Sequence, residues 1–190
     1  MKIAVIGTGN IGGTLGSKWR AAGHDVVYGS RSAGGTGPGG AAQVAVADAV
    51  AGADAVVFAI PGQAVASVAA EHGAALAGKV VIDASNRIGA DEVNSRAAIT
   101  AAAPGATYVR AFSTLGWENF ADPLPGAALF FAADAQARPV AEELISAIGL
   151  EPAYVGDAGA AGTVDGLLPL WFALVRQNGG NRRVALRLVT

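Results

Sequence analysis

The sequence predicts an α/β doubly wound fold, a mainly parallel sheet covered by helices on both faces. Three observations carry this. A glycine turn of the form GxGxxG follows directly on a short apolar strand, Lys2 to Ile6. Strand-like and helix-like segments then alternate along the chain, as βαβ units require. The strand segments are continuous apolar runs such as Ala55-Val56-Val57-Phe58, the signature of strands buried on both faces. Residues 1–157 form the expected core domain, and residues 158–190 a short helical C-terminal cap or extension of it.

The first unit sets the ligand class. In Gly7-Thr8-Gly9-Asn10-Ile11-Gly12, Gly7 permits the tight turn, Gly9 admits a pyrophosphate close to the backbone, and Gly12 lets the next helix pack near the sheet. Ile11, Leu15, Trp19 and Ala22 recur at helical spacing, Gly23 supplies a stop, and Asp25 to Gly29 resumes as a strand. A dinucleotide at the helix N-terminus is the expectation. A strand that serves NAD or FAD usually ends in an acid that holds the ribose 2′-OH. Here the strand runs into Ser30-Arg31-Ser32, with Asp25 at its start. Two hydroxyls and a guanidinium suit a 2′-phosphate, so the expected cofactor is NADP(H).

Residues 33–40 hold five glycines and a proline and are expected to be a mobile surface loop that lies beside Arg31. Ala41 to Ala51 reads as a helix, Asp54 to Ile60 as a strand, Gln63 to Leu76 as a helix and Lys79 to Asp83 as a strand. Glu92 to Ala102 is a helix, Thr107 to Ala111 a fifth strand, Ala127 to Ala133 a sixth, Pro139 to Ile148 a helix and Pro152 to Val155 a seventh strand. Such sheets bind ligands beyond the carboxyl ends of their strands. The cofactor residues are therefore expected among Gly7, Thr8, Gly9, Asn10, Ile11, Gly12, Ser30, Arg31, Ser32, Ile60, Pro61, Ala84, Ser85 and Asn86. Asn86, Arg110, Phe112, Ser113 and Thr114 are the candidates for a second substrate. Arg110 reads either as an anion or ring contact to that substrate or as the partner of an acid such as Glu118 or Asp122.

Composition narrows the classes further. The chain has 190 residues, no cysteine and a formal net charge of −2, which excludes disulfides and thiolate sites and gives no electrostatic basis for nucleic-acid binding. The mean hydropathy of +0.42 comes with charges that interrupt the long apolar runs, so no membrane partner and a cytoplasmic location are expected. The dense apolar stretch Leu167 to Val175 is expected to close the pocket or to bury itself in a homodimer. Arg182, Arg183 and Arg187 beyond it read as a solvated face. No metal site is expected.

No common acid or base is well placed for catalysis. His24 and Lys79 fall at the amino edge of the sheet, and His72 sits late on a helix that returns there. Ser85, Asn86, Arg110, Ser113 and Thr114 orient ligands but carry protons poorly. Asp83, at a strand end, reads as a loop-fixing acceptor, with a buried acid as the alternative. That pattern favours hydride transfer to a second ring cofactor, a flavin or deazaflavin, with no dedicated catalytic residue.

Gly7 to Gly12, Gly29-Ser30-Arg31, Ala59-Ile60-Pro61, Asp83-Ala84-Ser85-Asn86 and the stretch Arg110 to Asn119 resemble the NADP oxidoreductase, coenzyme F420-dependent family. The resemblance extends to Asp165-Gly166-Leu167 and the apolar tail. It implies a Rossmann domain with a small C-terminal cap, often dimeric, and reversible hydride transfer between NADP(H) and the deazaflavin coenzyme F420. Thr8, Ser30 and Arg31 match the family's phosphate and 2′-phosphate contacts. Where a family member carries a basic residue shortly after the arginine, this chain has Gly34-Gly35-Thr36. A flavin or ferric reductase, whose module is similar, is the alternative enzyme. A non-catalytic NADP(H)-binding redox sensor is the alternative of another class. Imine and β-hydroxyacid reductases share the glycine loop but need a long helical C-terminal domain and a catalytic lysine, which the residues after Ala160 do not supply.

Overall fold

The computed structural model describes residues 1–189. Eight strands form one sheet: β1 (Lys2–Ile6), β2 (Asp25–Gly29), β3 (Ala42–Val44), β4 (Ala55–Phe58), β5 (Val80–Asp83), β6 (Thr107–Arg110), β7 (Ala128–Ala133) and β8 (Glu151–Gly156). Their spatial order is β3-β2-β1-β4-β5-β6-β7-β8. The first six are parallel, β7 runs antiparallel to β6, and β8 pairs parallel to β7. The order reverses between β1 and β4, and this switch point is where an open α/β sheet leaves a crevice for ligands.

Eight helices accompany the strands among the described residues: α1 (Asn10–Ala21), α2 (Val46–Ala51), α3 (Gly62–Leu76), α4 (Arg96–Ala102), α5 (Trp117–Ala121), α6 (Arg138–Ala147), α7 (Ala161–Asp165) and α8 (Leu167–Gln177). Successive side chains of β1 point to opposite faces. Ile3 and Val5 join one core with Leu15 and Trp19 of α1, while Ala4 and Ile6 join the other with Val65 and Ala69 of α3. Ala158 and Ala161 belong to the second core, so the C-terminal segment extends the domain's own packing.

Two expectations about residues 33–51 are corrected. The helix expected over 41–51 is split, with β3 pairing Ala42 to Val27 and Val44 to Gly29 before α2 begins. Three residues at a sheet edge are too few to show a strand period. The glycine segment is folded rather than loose. Gly34 N–H donates to the Gln43 carbonyl at 2.9 Å, Gly37 N–H to Ala41 at 2.8 Å, and a 3-10 turn, Pro38–Gly40, sits against Gly13 and Ser17 of α1. Gly34 and Gly35 hold φ of 100° and 94°, a region that side chains disfavour, which accounts for the composition there.

The C-terminal segment is also tied down. Trp171 Nε1–H donates to the Val184 carbonyl at 2.8 Å, and Leu186 bridges to Ala128. Arg182 lies over the Trp171 ring and pairs with Glu118 at 2.7 Å, and Arg183 pairs with Asp122 at 2.8 Å. Two of the three arginines expected on a solvated face are thus partnered. The helical run Ala158–Gln177 is long and apolar enough to meet the criteria of a membrane span. Within it, Val164, Leu168, Trp171 and Val175 are buried against the protein, while Leu170 and Phe172 stay exposed.

Candidate functional site

The glycine loop sits at the switch point. Gly7 leaves β1 with φ of 110°, and a Cβ there would meet the Ala59 carbonyl oxygen at 2.5 Å. A Cβ on Gly12 would overlap the carbonyl oxygen of Gly7, so α1 starts close to the sheet only because both positions lack side chains. Gly9 differs, since its Cβ would meet nothing within 4 Å. The space above Gly9 is open, as a phosphate cradle requires. α1 has no side-chain cap and no acid in its first turn, which leaves its first N–H groups and its positive dipole end for an anion.

A cleft of about 880 Å³ opens beside this loop. It takes in Gly7, Thr8 and Gly9, passes Ser30 and Arg31, and continues between Val46 of α2 and Ile60, Ala64 and Val68 of α3. Its walls suit a phosphate at one end and an apolar ring between the helices. Arg31 is exposed and, among the described residues, forms no ion pair with a carboxylate. The residues present therefore fit NADP(H): a backbone cradle for the pyrophosphate and a free guanidinium at the end of β2.

Of the expected cofactor residues, Gly7, Thr8, Gly9, Ser30, Arg31, Ile60 and Pro61 line the cleft. Asn10 and Ile11 open α1, Gly12 serves packing, and Ser32 borders the turn. Ala84, Ser85 and Asn86 lie beyond β5, outside the cleft. His72, expected at the amino edge away from any ligand, lines the cleft together with Glu71. The cleft follows the groove between α2 and α3 instead of stopping at the strand ends. His72 is ten residues into α3, about 15 Å from its start along the axis.

The carboxyl ends of β5 and β6 are filled by a buried polar network. The Arg110 side chain is 0% exposed and every one of its five N–H groups is used. Nε–H donates to Asp165 Oδ1 at 2.7 Å, and Nη2 sits 2.6 Å from the same oxygen and 2.7 Å from Asn86 Oδ1. Nη1–H groups donate to the carbonyls of Asp83 at 3.1 Å and Ser85 at 2.5 Å. Arg110 therefore presents nothing to a ligand, and its acids are Asp165 and Asp83 in place of Glu118 or Asp122. Those two acids are taken by Arg182 and Arg183.

Asp83 is equally committed. It accepts from Ser85 N–H and Oγ–H, from Ser95 N–H at 2.6 Å and from the Tyr108 hydroxyl at 3.0 Å, and so fixes the loop after β5. Burial, and then the neighbouring Asp83 charge, push the Tyr108 phenol well above its ordinary 10.0, so it stays a neutral donor. Asn94 Nδ2–H closes the network on Asp165 Oδ2 at 2.7 Å. Two carboxylates face one guanidinium here, and the polar donors offset the second negative charge.

The other expected substrate contacts are buried too. Phe112 holds φ of 60°, and its ring packs edge-on against Trp19 and Phe120 at centroid distances of 5.5 and 5.9 Å. It is a core residue, held in an uncommon backbone conformation by that packing. Ser113 and Thr114 are 3% and 4% exposed. Asn86 is half-buried, its Nδ2–H donating to the Ser113 carbonyl at 2.8 Å. Asp165, whose pairing with Arg110 sequence reasoning missed, stands 55 positions from it. The register that sets Asp83 beside Arg110 is the signal that could have exposed half of the pairing. Among the described residues no group of three or more His, Asp or Glu is gathered to hold a metal ion.

Residues 2–87 match the model of a family described as NADP oxidoreductase, coenzyme F420-dependent. A candidate F420-dependent NADP-reductase from Arthrobacter sp. FB24 has 25% identity to this chain and a TM-score of 0.86, each chain covered in full. The hypothetical protein SMa0349 from Sinorhizobium meliloti has 27% identity and a TM-score of 0.69, with 85% of this chain and 88% of that one covered. An imine reductase from Streptomyces aurantiacus shares the fold at 18% identity and a TM-score of 0.70. There 93% of this chain covers 62% of the longer enzyme. Over residues 2–87, the glycine loop, the Arg31 turn and the strands between them, this chain is thus similar to the NADP oxidoreductase, coenzyme F420-dependent family.

Proposed function

We propose that the protein transfers a hydride between NADP(H) and a deazaflavin, coenzyme F420, or a flavin. The observation that carries the reading is the contrast between two edges of one sheet. Beyond β1 and β2 the backbone cradle and Arg31 are free to bind. Beyond β5 and β6 the polar side chains of Asp83, Tyr108 and Arg110 are bound to one another, so none is available to carry a proton.

NADP(H), when bound, supplies or takes up the hydride. Thr8 and Gly9 would hold its pyrophosphate through backbone N–H groups, the Gly7 N–H being spent on the Gly29 carbonyl at 3.2 Å, and Arg31 with Ser30 its 2′-phosphate. Val46, Ile60 and Val68 would exclude water along its adenosine. The chain's part is placement and desolvation, which suffices for an acceptor that needs a hydride from one face and a proton from solvent.

The test is anaerobic oxidation of NADPH with coenzyme F420, FMN and FAD offered separately, and NADH as the control donor. Turnover with the deazaflavin alone supports the F420 reading, and turnover with flavins alone moves the protein to the flavin reductase alternative. Binding of NADPH without turnover on any of the three overturns both in favour of a redox sensor.

A further inference from the structure

We propose that Gln43 is a positioning residue for the 2′-phosphate of NADP(H), acting through the Ser30-Arg31-Ser32 turn. The inference rests on the assignment of Arg31 to that phosphate. Gln43 sits half-buried on the edge strand β3, opposite Tyr28. Its Nε2–H donates to the Ser32 carbonyl at 2.6 Å. Its backbone carbonyl accepts from Gly34 N–H at 2.9 Å, and its backbone N–H donates to Gly35 at 3.3 Å. One residue thus holds Ser32, Gly34 and Gly35, three points of the segment that leaves Arg31.

The other side of the turn is held as well. Ser30 N–H donates to the Val44 carbonyl at 2.9 Å, and Ser32 N–H donates to Ser30 Oγ at 3.2 Å. Arg31 is therefore flanked by anchored residues, while Arg31 itself lines the cleft and forms no ion pair with a carboxylate among the described residues. A long side chain loses rotamer freedom when it clamps an anion, and an anchored Cα reduces the further ordering that binding requires. Gln43 does not line the cleft, so it works through Arg31 and not by touching the phosphate. The backbone bonds to Gly34, Gly35 and Val44 do not depend on its side chain. Removing the amide therefore frees Ser32 alone.

The role belongs to an amide. A leucine at this position keeps the volume and loses the donor. A glutamate loses the donor and adds negative charge near the site expected for a dianion.

The experiment is a fluorescence titration of NADPH and NADH with the full chain and its Q43L, Q43E and R31A variants. One neutral hydrogen bond corresponds to about a five-fold change in equilibrium, so Q43L should weaken NADPH about five-fold. NADH, which lacks the 2′-phosphate, should change by less than about two-fold, the range of a neutral surface substitution. Q43E should weaken NADPH more than Q43L does. Equal weakening of both nucleotides, or an unchanged NADPH affinity in Q43L, overturns the proposal. Where Q43L does not fold, Q43E decides: loss of the NADPH preference supports it and retention overturns it. R31A tests the parent reading separately, because an unchanged NADPH-to-NADH preference in that variant removes Arg31 from the 2′-phosphate whatever Gln43 does.

Discussion

Arg110→Met tests the buried network directly. The substitution nearly preserves volume and removes all five N–H donors. It leaves Asp83 and Asp165, 0% and 9% exposed at the side chain, without their cation. It also strips donors from the carbonyls of Asp83 and Ser85 and from Asn86 Oδ1. Breaking one side of a buried ion pair costs about 3–5 kcal/mol. Against a total domain stability of about 5–15 kcal/mol, that is a large share. Urea unfolding followed by circular dichroism is the assay, and with a slope of about 1–3 kcal/mol per M the midpoint should fall by at least about 1 M. Arg110→Lys, with three donors on a flexible stem and no fork, should fall between wild type and Arg110→Met. A loss below about 1 kcal/mol, within the ordinary range of single substitutions, would refute the network as a structural element. Were Arg110 a contact to the acceptor, the same variant would keep its midpoint and raise the KM for the acceptor.

Three further predictions follow from the geometry. Tyr108, whose native ionisation lies above its ordinary 10.0, contributes stability that is fully present below pH 10.0 and lost as pH rises through the higher native value. Tyr108→Phe should flatten that alkaline loss by up to about 1.4 kcal/mol per pH unit, read from urea midpoints across alkaline pH, and an unchanged slope would contradict it. Gly9→Ala places a methyl in open space with φ of −71°, so the thermal midpoint should hold. NADPH affinity in that variant should drop about ten-fold or more, the equivalent of about 1.4 kcal/mol of steric overlap, and retained affinity would move the pyrophosphate away from the loop. Closure of a homodimer on Leu170 and Phe172, 45% and 38% exposed, predicts a mass by light scattering of twice 18.7 kDa that Phe172→Lys halves. A wild-type mass of one chain rules that dimer out.

The parts of the fold that the sequence made legible are those decided by neighbours along the chain. Lys2 to Gly29 places a buried strand, a glycine turn, an amphipathic helix and a second strand within one stretch, and each is fixed by local period or by a backbone need at Gly7. The edge strand β3 escaped because three residues hold no period and its identity depends on β2 beside it. The glycine segment 33–40 looked mobile because its composition forbids regular structure. Its order comes from Gln43 and from the surface of α1, neither of which composition reveals. α5 was hidden for a related reason: five residues after Gly116 make too short a run to show a helical stripe.

The same distinction explains why one half of the candidate site was readable and the other was not. Arg31 follows directly on β2, whose end lies beside the glycine loop, so position along a strand was enough to place it on the cleft. Arg110 is satisfied by Asp83, Ser85, Asn86 and Asp165, at separations of 24 to 55 residues. A search for a nearby acid led to Glu118 and Asp122, which the returning C-terminal segment claims with Arg182 and Arg183. Ion pairing across such distances depends on which strand ends and loops share an edge, and that is a property of the assembled sheet. Once the parallel register sets Asp83 against Arg110, a guanidinium at that depth must find acceptors or unfold the edge. The loop after β5 and the end of α7 supply them. The edge beyond β5 and β6 is thereby a fixed wall, while the edge beyond β1 and β2 keeps its open backbone and its free arginine. Charged residues at the carboxyl ends of one sheet thus divide into those that hold the wall and those left for a ligand, and burial separates the two groups where residue type does not.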